Sequence, residues 1–456
     1  MNRRNFLKTQ AVGILSAVSW GAMRSTYADV RFRIAPFKAD VNPPLGTPWY
    51  PSYKPLETIE HNLLAKGVII EDDKKRYVLC ALDWCEICNR SYYKLRDMIA
   101  KTVETDPNAV FIHTVHQHTA PMCDEDAFDI LDKIQNPPPY PKKGDFDNLF
   151  KNILNSIEVA KQSLVFCNAV EVGSAKVEKV ASNRRVMQPD GNCLTRYSSC
   201  KDPKLIEAPE GLIDPYLRTL SFLSEEGKPV ARIHYYTTHP QSFYGDPRAS
   251  YDFPGMAREQ MEKDEGIPHI YFTGCAGNIA AGKYNDGTPE ARQQLYQRLL
   301  KAMQESVKSL QKQELTPISL KSIPFTFGYR NDGEHSQEHL EKFLNDTNQG
   351  HNYRIGAAME LAWQNRADKI PIPISAIHFG KVSILSLPGE PMVEFQLYAQ
   401  SCSPEQTVFV AGYSDCGTGY ICTEESFKEG CYEPSASNVP PSTEGKLKET
   451  IKQVLT

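Results

Sequence analysis

Short apolar runs and longer stretches with helical periodicity alternate along the whole chain. Ala65–Ile70 and Arg76–Leu82 are β-rich runs separated by the charged turn Glu71–Lys75, which predicts a hairpin. Arg31 to Tyr50 opens as a short strand and passes into a Pro/Gly-rich loop around Asn42–Gly46. Further strands are predicted at Ala109–His113, Thr219–Leu223, Ala231–Tyr236, His269–Thr273, Ile374–Phe379, Val382–Leu387 and Thr407–Ala411. Tyr92–Val103 reads as a helix. After the proline-rich loop Asn136–Lys143, the stripe Phe146, Leu149, Phe150, Ile153, Leu154 and Ile157 predicts an amphipathic helix. Leu295, Leu299, Met303 and Val307, recurring every four residues, predict another within Glu290–Gln311. Residues 188–213, with the turn Pro189-Asp190-Gly191, read as loop. Strands interspersed with helices throughout imply an α/β fold of layered mixed β-sheets flanked by helices. No repeat or compositional break divides the chain, so residues 29–456 are expected to form a single catalytic domain.

The first 28 residues have a different character. Arg3 and Arg4 precede Phe6-Leu7-Lys8, an apolar stretch runs from Ala11 to Met23, and Thr26-Tyr27-Ala28 supplies a small-residue cleavage pattern. This order predicts a twin-arginine signal peptide over residues 1–28 and export, with the periplasm as destination. The apolar stretch is short for a membrane span of ~20 residues. The 41% hydrophobic and 23% charged content of the whole chain suits a globular protein. Loss of Arg3, Arg4, Lys8 and Arg24, with no acid among residues 1–28, takes the formal charge from −5 to −9. An acidic mature chain lacks the electrostatic footprint of a nucleic-acid binder and of a lasting partner for anionic membrane. A small-molecule, lipid or glycan substrate is the expected partner. Twelve cysteines leave pairing open; Cys193–Cys200 could close a short loop and Cys416–Cys431 a longer one.

The candidate chemistry clusters just after predicted strands. In Phe111-Ile112-His113-Thr114-Val115-His116-Gln117-His118, a continuing strand would point His116 and His118 to one face and His113 to the other. His239 follows Tyr235-Tyr236-Thr237-Thr238, whereas His234 lies within the strand and reads as a core residue. Glu390 follows Leu387-Pro388-Gly389, and Glu394, one turn later, reads as solvent-facing. Each also admits a structural role, Glu390 as a helix-start carboxylate. Together they meet the needs of catalytic zinc, which takes about three N and O ligands and keeps one position open.

In order along the chain come Lys38-Ala39-Asp40-Val41-Asn42-Pro43, Asp83, His116-Gln117-His118-Thr119-Ala120-Pro121, Asn183-Arg184 and His239. Asp252-Phe253-Pro254-Gly255-Met256-Ala257, Gly277-Asn278-Ile279, Pro388-Gly389-Glu390, Gly419-Tyr420 and Tyr432-Glu433 follow. This series resembles the catalytic N-terminal domain of the neutral (alkaline, non-lysosomal) ceramidases from about Ile34 to Asn438. The resemblance implies zinc held by His116, His239, Glu390 and Tyr420. It also implies that His118, Arg184 and Tyr432 contact the substrate carbonyl or the developing oxyanion. Two departures stand out: Ala280 occupies the family's serine position, and Met122-Cys123-Asp124 replaces its glycines. The chain ends at Thr456, and no immunoglobulin-like C-terminal domain is expected. The expected function is an exported zinc hydrolase of an amide or ester carbonyl, in an N-acyl lipid or acylated sugar, using metal-activated water. The alternative, motivated by Ala280, is a zinc-stabilised binder of an envelope lipid or glycan without turnover.

Overall fold

A computed structural model describes residues 31–456; the signal peptide expected over residues 1–28 lies outside them. The first four strands of the main sheet are β1 (Phe32–Asp40), β2 (Leu64–Glu71), β3 (Arg76–Leu82) and β4 (Val110–Thr114). They are followed by β5 (Val165–Lys176), β6 (Tyr216–Ser224), β7 (Pro229–Tyr236) and β8 (His269–Thr273). These eight build one sheet in the order β8-β7-β6-β5-β1-β2-β3-β4, with a short strand, Gln311–Gln313, added on β5. The pairs β3–β4 and β7–β8 are parallel and the others antiparallel. A second sheet runs β9 (Ser319–Phe325), β10 (Ile372–Phe379), β11 (Val382–Ser386), β12 (Thr407–Ala411), and its last pair is parallel.

Both faces of the large sheet are covered, so its central strands are apolar on both sides. Ile34, Val68, Ile70 and Leu79 belong to one core, while their neighbours Ala35, Ile69, Val78 and Cys80 belong to another. This is the period-two alternation of a strand with no solvent face. The second of these cores is completed by α1 (Asn89–Val103) and α2 (Lys143–Lys161), whose Phe146, Leu149, Phe150, Ile153 and Ile157 form the predicted stripe. On the opposite side, α3 (Asp252–Glu265) and α4 (Pro289–Lys308) share a core with the inner face of the second sheet through Leu295, Leu299, Ile377, Ile384 and Phe409. The outer face of that sheet, with Ile374, Leu385 and Val410, packs on α5 (His351–Arg366), α6 (Val393–Cys402) and α7 (Thr443–Leu455). The layered α/β expectation is met.

Two local expectations change. Within residues 188–213 the chain forms a strand, Cys193–Thr195, paired with Arg185–Met187, and a short helix, Pro203–Glu207. The hairpin carries Cys193 to Cys431, with Cα atoms 5.6 Å apart, and these two form the disulfide. Cys200 and Cys416 are free, so neither pairing suggested by proximity in sequence exists.

The two sheets meet at the C-terminal ends of their parallel strands. The Thr114 amide donates to the Tyr413 carbonyl at 2.9 Å, and the Gly412 amide donates to Thr273 at 3.1 Å. His113, just before, lies within 2.6 Å of the Gly412 carbonyl through Nδ1 and 3.1 Å of Ser386 Oγ through Nε2. It is a sheet-joining residue, as its parity suggested. His234 is likewise satisfied, against Thr219 and His269 at 2.8 Å each.

Candidate metal centre

β4, β7 and β11 each run into a loop at this junction and deliver His116, His239 and Glu390 respectively. Carboxyl ends of strands in α/β sheets are where crevices form. The strand alternation invoked for His116 and His118 does not apply, because β4 ends at Thr114. His116 instead adopts a left-handed backbone, φ 71°, which is uncommon for a non-glycine residue and clusters at functional sites. Its amide donates to the Trp84 carbonyl at 2.9 Å and its ring stacks on Tyr413 at 4.3 Å. Glu390 is placed by a two-residue parallel bridge that sets it beside Tyr420 in register. Gly277 lets that strand approach closely, since a Cβ there would collide with the Glu390 carbonyl oxygen.

The ring nitrogens have defined roles. His116 Nδ1 lies 2.8 Å from the Cys85 carbonyl and His239 Nδ1 lies 2.7 Å from the Ala276 carbonyl. Each Nδ1 must therefore carry the proton, leaving the Nε2 lone pair free. Both Nε2 atoms point at one carboxylate oxygen, Glu390 Oε2, at 3.1 and 3.0 Å. All three atoms are buried and none has an aligned hydrogen-bond partner. Orphaned polar atoms in an interior are costly, and these three converge. Their separations are close to the ~3.3 Å edge of a tetrahedron with ~2.0 Å metal–ligand bonds. The residues present fit a divalent ion.

A second cluster, Cys85 with His116 and His118, also comes within ligand range among the described residues. In it His116 Nδ1 lies 4.0 Å from Cys85 Sγ, and that nitrogen is committed to the backbone. The His116, His239 and Glu390 set is the one with free lone pairs.

The electrostatics of Glu390 and His239 agree with this division. Burial opposes charge on Glu390, but the two imidazoles outweigh it and hold the carboxyl well below its ordinary range. Burial and the nearby Arg184 guanidinium lower His239 to about 4, so its imidazole is neutral at pH 7. His116 feels burial too, but Glu390 prevails and raises it.

Tyr420 and Arg184 sit beside the triad. Arg184 donates from Nη1 to the Tyr420 hydroxyl at 2.8 Å and to the Gly277 carbonyl at 3.1 Å. Far from being a solvated arginine, Arg184 is 3% exposed and its Nε has no partner. The Tyr432 ring lies 5.6 Å from that of Tyr420, and burial pushes its hydroxyl up to about 12. His118 lies 4.9 Å, ring to ring, from His116, with neither nitrogen partnered.

A cavity of about 830 Å³ opens onto this group, and His118, Arg184, Glu390, Tyr420 and Tyr432 all line it. His116 and His239 stand behind its wall. Sequence reasoning missed Glu86, Tyr50 and Tyr244, which also line it. Only the pairing of Glu86 with Met122 through a short bridge after β3 brings that acid in, and no local motif announces it. Ala280 is buried, pairs with Ser182, and is not a cavity-lining residue. Asn278 is scaffold: its side chain accepts from the Val393 amide and donates to Glu394 at 3.0 Å. Glu394 is therefore half-buried on Asn278 and not solvent-facing.

No protein-family model matches the chain, and no curated protein matches it in sequence. Solved structures do match. The chain is similar to neutral ceramidase from Pseudomonas aeruginosa at 19% identity and a TM-score of 0.68, over 93% of this chain and 74% of that one. It is similar to a ceramidase complexed with C2 at 16% identity and a TM-score of 0.65, over 93% of this chain and 75% of that one. Over nearly its whole described length, the chain has the neutral ceramidase fold.

Proposed function

We propose that the protein is a zinc-dependent hydrolase of an amide or ester carbonyl, acting on an N-acyl lipid or an acylated sugar. The observation that carries this reading is the pair of imidazoles fixed through Nδ1 that aim Nε2 at a single Glu390 oxygen, all unpartnered, behind a cavity. His116, His239 and Glu390 would hold the ion, with the Tyr420 hydroxyl as fourth ligand. When bound, such an ion polarises a carbonyl and lowers the pKa of water to about 7.

The protein's own residues supply the rest. His118, with both nitrogens free at the cavity wall, takes the proton as a water oxygen adds to the carbonyl carbon. It returns that proton to the leaving nitrogen or oxygen as the C–N or C–O bond breaks. A carboxylic acid and an amine or alcohol result. Arg184 and Tyr432, facing the same space, donate hydrogen bonds to the oxygen on which negative charge develops. Arg184 also fixes the Tyr420 hydroxyl.

Export belongs to the same proposal. The arginine pair before an apolar stretch supports it, as does the Cys193–Cys431 disulfide, a bond suited to an oxidising compartment. No described helix is long and apolar enough to cross a membrane.

The test is release of carboxylic acid from a panel of N-acyl and O-acyl substrates before and after chelation. Turnover lost with the metal and restored by zinc supports a hydrolase. Bound metal with no turnover on any substrate would favour a binding protein.

A further inference from the structure

The lining of the cavity is informative about its occupant. Tyr50, Tyr53, Tyr197, Tyr244, Tyr353 and Tyr432 contribute rings, beside the apolar Phe243, Phe343, Met122, Met359 and Leu340, and no valine or isoleucine lines it. The wall is thus aromatic rather than branched-aliphatic. Phenol rings instead offer a flat apolar face with a polar tip. Tyr244, Tyr353 and Tyr197 are 60%, 63% and 53% exposed, leaving much of each ring bare at the cavity. Large exposed aromatics gathered around one opening mark an interaction site. Tyr50 and Tyr244 flank His118, with ring centroids 5.5 and 6.1 Å from its imidazole.

Between these rings lies hydrogen-bonding capacity that the protein does not use. Glu86 is mostly enclosed, yet its only side-chain hydrogen bond among the described residues is a weak one from Cys88 Sγ at 3.5 Å. It has no ion-pair partner among them. An enclosed carboxyl whose oxygens are left without strong partners is costly unless a ligand hydrogen-bonds to it. Gln241 accepts from Ser198 at 2.5 Å, and its Nε2 has no protein acceptor among the described residues. His118 is 8% exposed with both nitrogens free. Acceptor, donor and flat rings together match a ring whose C–H face is apolar and whose edge carries hydroxyls.

We propose that the cavity receives an acylated sugar, with Glu86 accepting hydrogen bonds from ring hydroxyls, Gln241 donating to a ring oxygen, and Tyr50 and Tyr244 stacking on the ring. This rests on the hydrolase reading only for the fate of the acyl group; recognition of the ring stands apart from it. Glu86 is a specificity residue, remote in role from the bond that breaks.

The zinc-loaded protein is titrated calorimetrically with N-acetylglucosamine, its β-1,4-linked dimer, 6-O-acetylglucose and N-acetylsphingosine, and acetate release is followed from each. At least one sugar should bind, and Glu86→Gln should weaken that binding roughly tenfold, the scale of one hydrogen bond. Zinc content should not change. Tyr244→Ala, at an exposed position, should weaken it too, which guards against a Glu86 variant that misfolds. Sugar binding without acetate release would keep the sugar site and remove the hydrolase. Acetate release from N-acetylsphingosine alone would keep the hydrolase and overturn the sugar site. Binding of none of the sugars, or equal sugar affinity in wild type, Glu86→Gln and Tyr244→Ala, would also overturn it.

Discussion

Replacing Cys193 with serine removes the crosslink to Cys431, and the size of the effect follows from where the bridge sits. It joins residues 238 apart in sequence, for which loop-closure entropy gives about 5 kcal/mol at 25 °C. The folded side loses less than the covalent bond alone suggests. Arg185 pairs with Glu429 at 2.8 Å and Glu433 at 3.0 Å, so the hairpin and the Tyr432 segment stay opposed without the sulfurs. A net loss of roughly 2–5 kcal/mol is expected. At ~2.1 cal/mol/K per residue, a chain of this length unfolds with an entropy near 1 kcal/mol/K, so Tm should fall by roughly 2–5 °C. Turnover should fall as well, because Cys431 immediately precedes Tyr432 and holds a left-handed backbone, φ 79°. Calorimetry of wild type with and without reductant, beside Cys193→Ser, reads the stability change. Thiol titration of the denatured, unreduced chain should find ten of the twelve cysteines. Twelve reactive thiols, or identical Tm values in all three samples, would refute the reasoning.

Other outcomes are equally specific. Tyr432→Phe should lower kcat by about 10²-fold, as for loss of one oxyanion donor, with zinc content measured by mass spectrometry unchanged. Ala280→Ser should not create a nucleophile, because position 280 does not line the cavity; acid-release assays on variant and wild type should agree, and a large gain would contradict this. Glu262 gives a pH signature: Lys66 holds its carboxyl down at about 2 against the burial that would raise it. A depressed carboxyl stabilises the fold above the unfolded value near 4.5, and that contribution fades as pH falls from there through about 2. It amounts to about 3 kcal/mol for this 22%-exposed side chain. Lys66→Met should flatten the acid limb of a urea stability profile over that window.

Much of the fold was legible because its core strands and two of its helices carry clean periodicity. The Leu295 and Phe146 stripes and the hairpin at Glu71–Lys75 emerge close to where sequence placed them. Two of the helices that sequence missed bury polar residues and so break the pattern. α5 sinks Arg354 and Arg366 beside Trp363, and α6 is buried around Gln396. The long strand β5 was hidden for the opposite reason, since its first two residues, Val165 and Phe166, are exposed apolar ones. At the site, His116, His239 and Glu390 could each be singled out as polar residues after a strand. Their convergence was implied only by the family resemblance and not by the residues themselves, because it depends on two sheets meeting at Tyr413 and Gly412. Tyr420 entered only through the family resemblance, with its bridge to Glu390 seen in the structure, and Glu86 required the bridge to Met122. Such pairings between distant segments leave no periodic trace.

The most direct measurement is elemental analysis of purified wild type beside His239→Ala and Glu390→Ala, with Tyr432→Phe as the folded control. One equivalent of zinc in wild type and in Tyr432→Phe, and loss of it in both ligand variants, is the expected result. A full equivalent retained by His239→Ala and Glu390→Ala would contradict a centre built on those side chains.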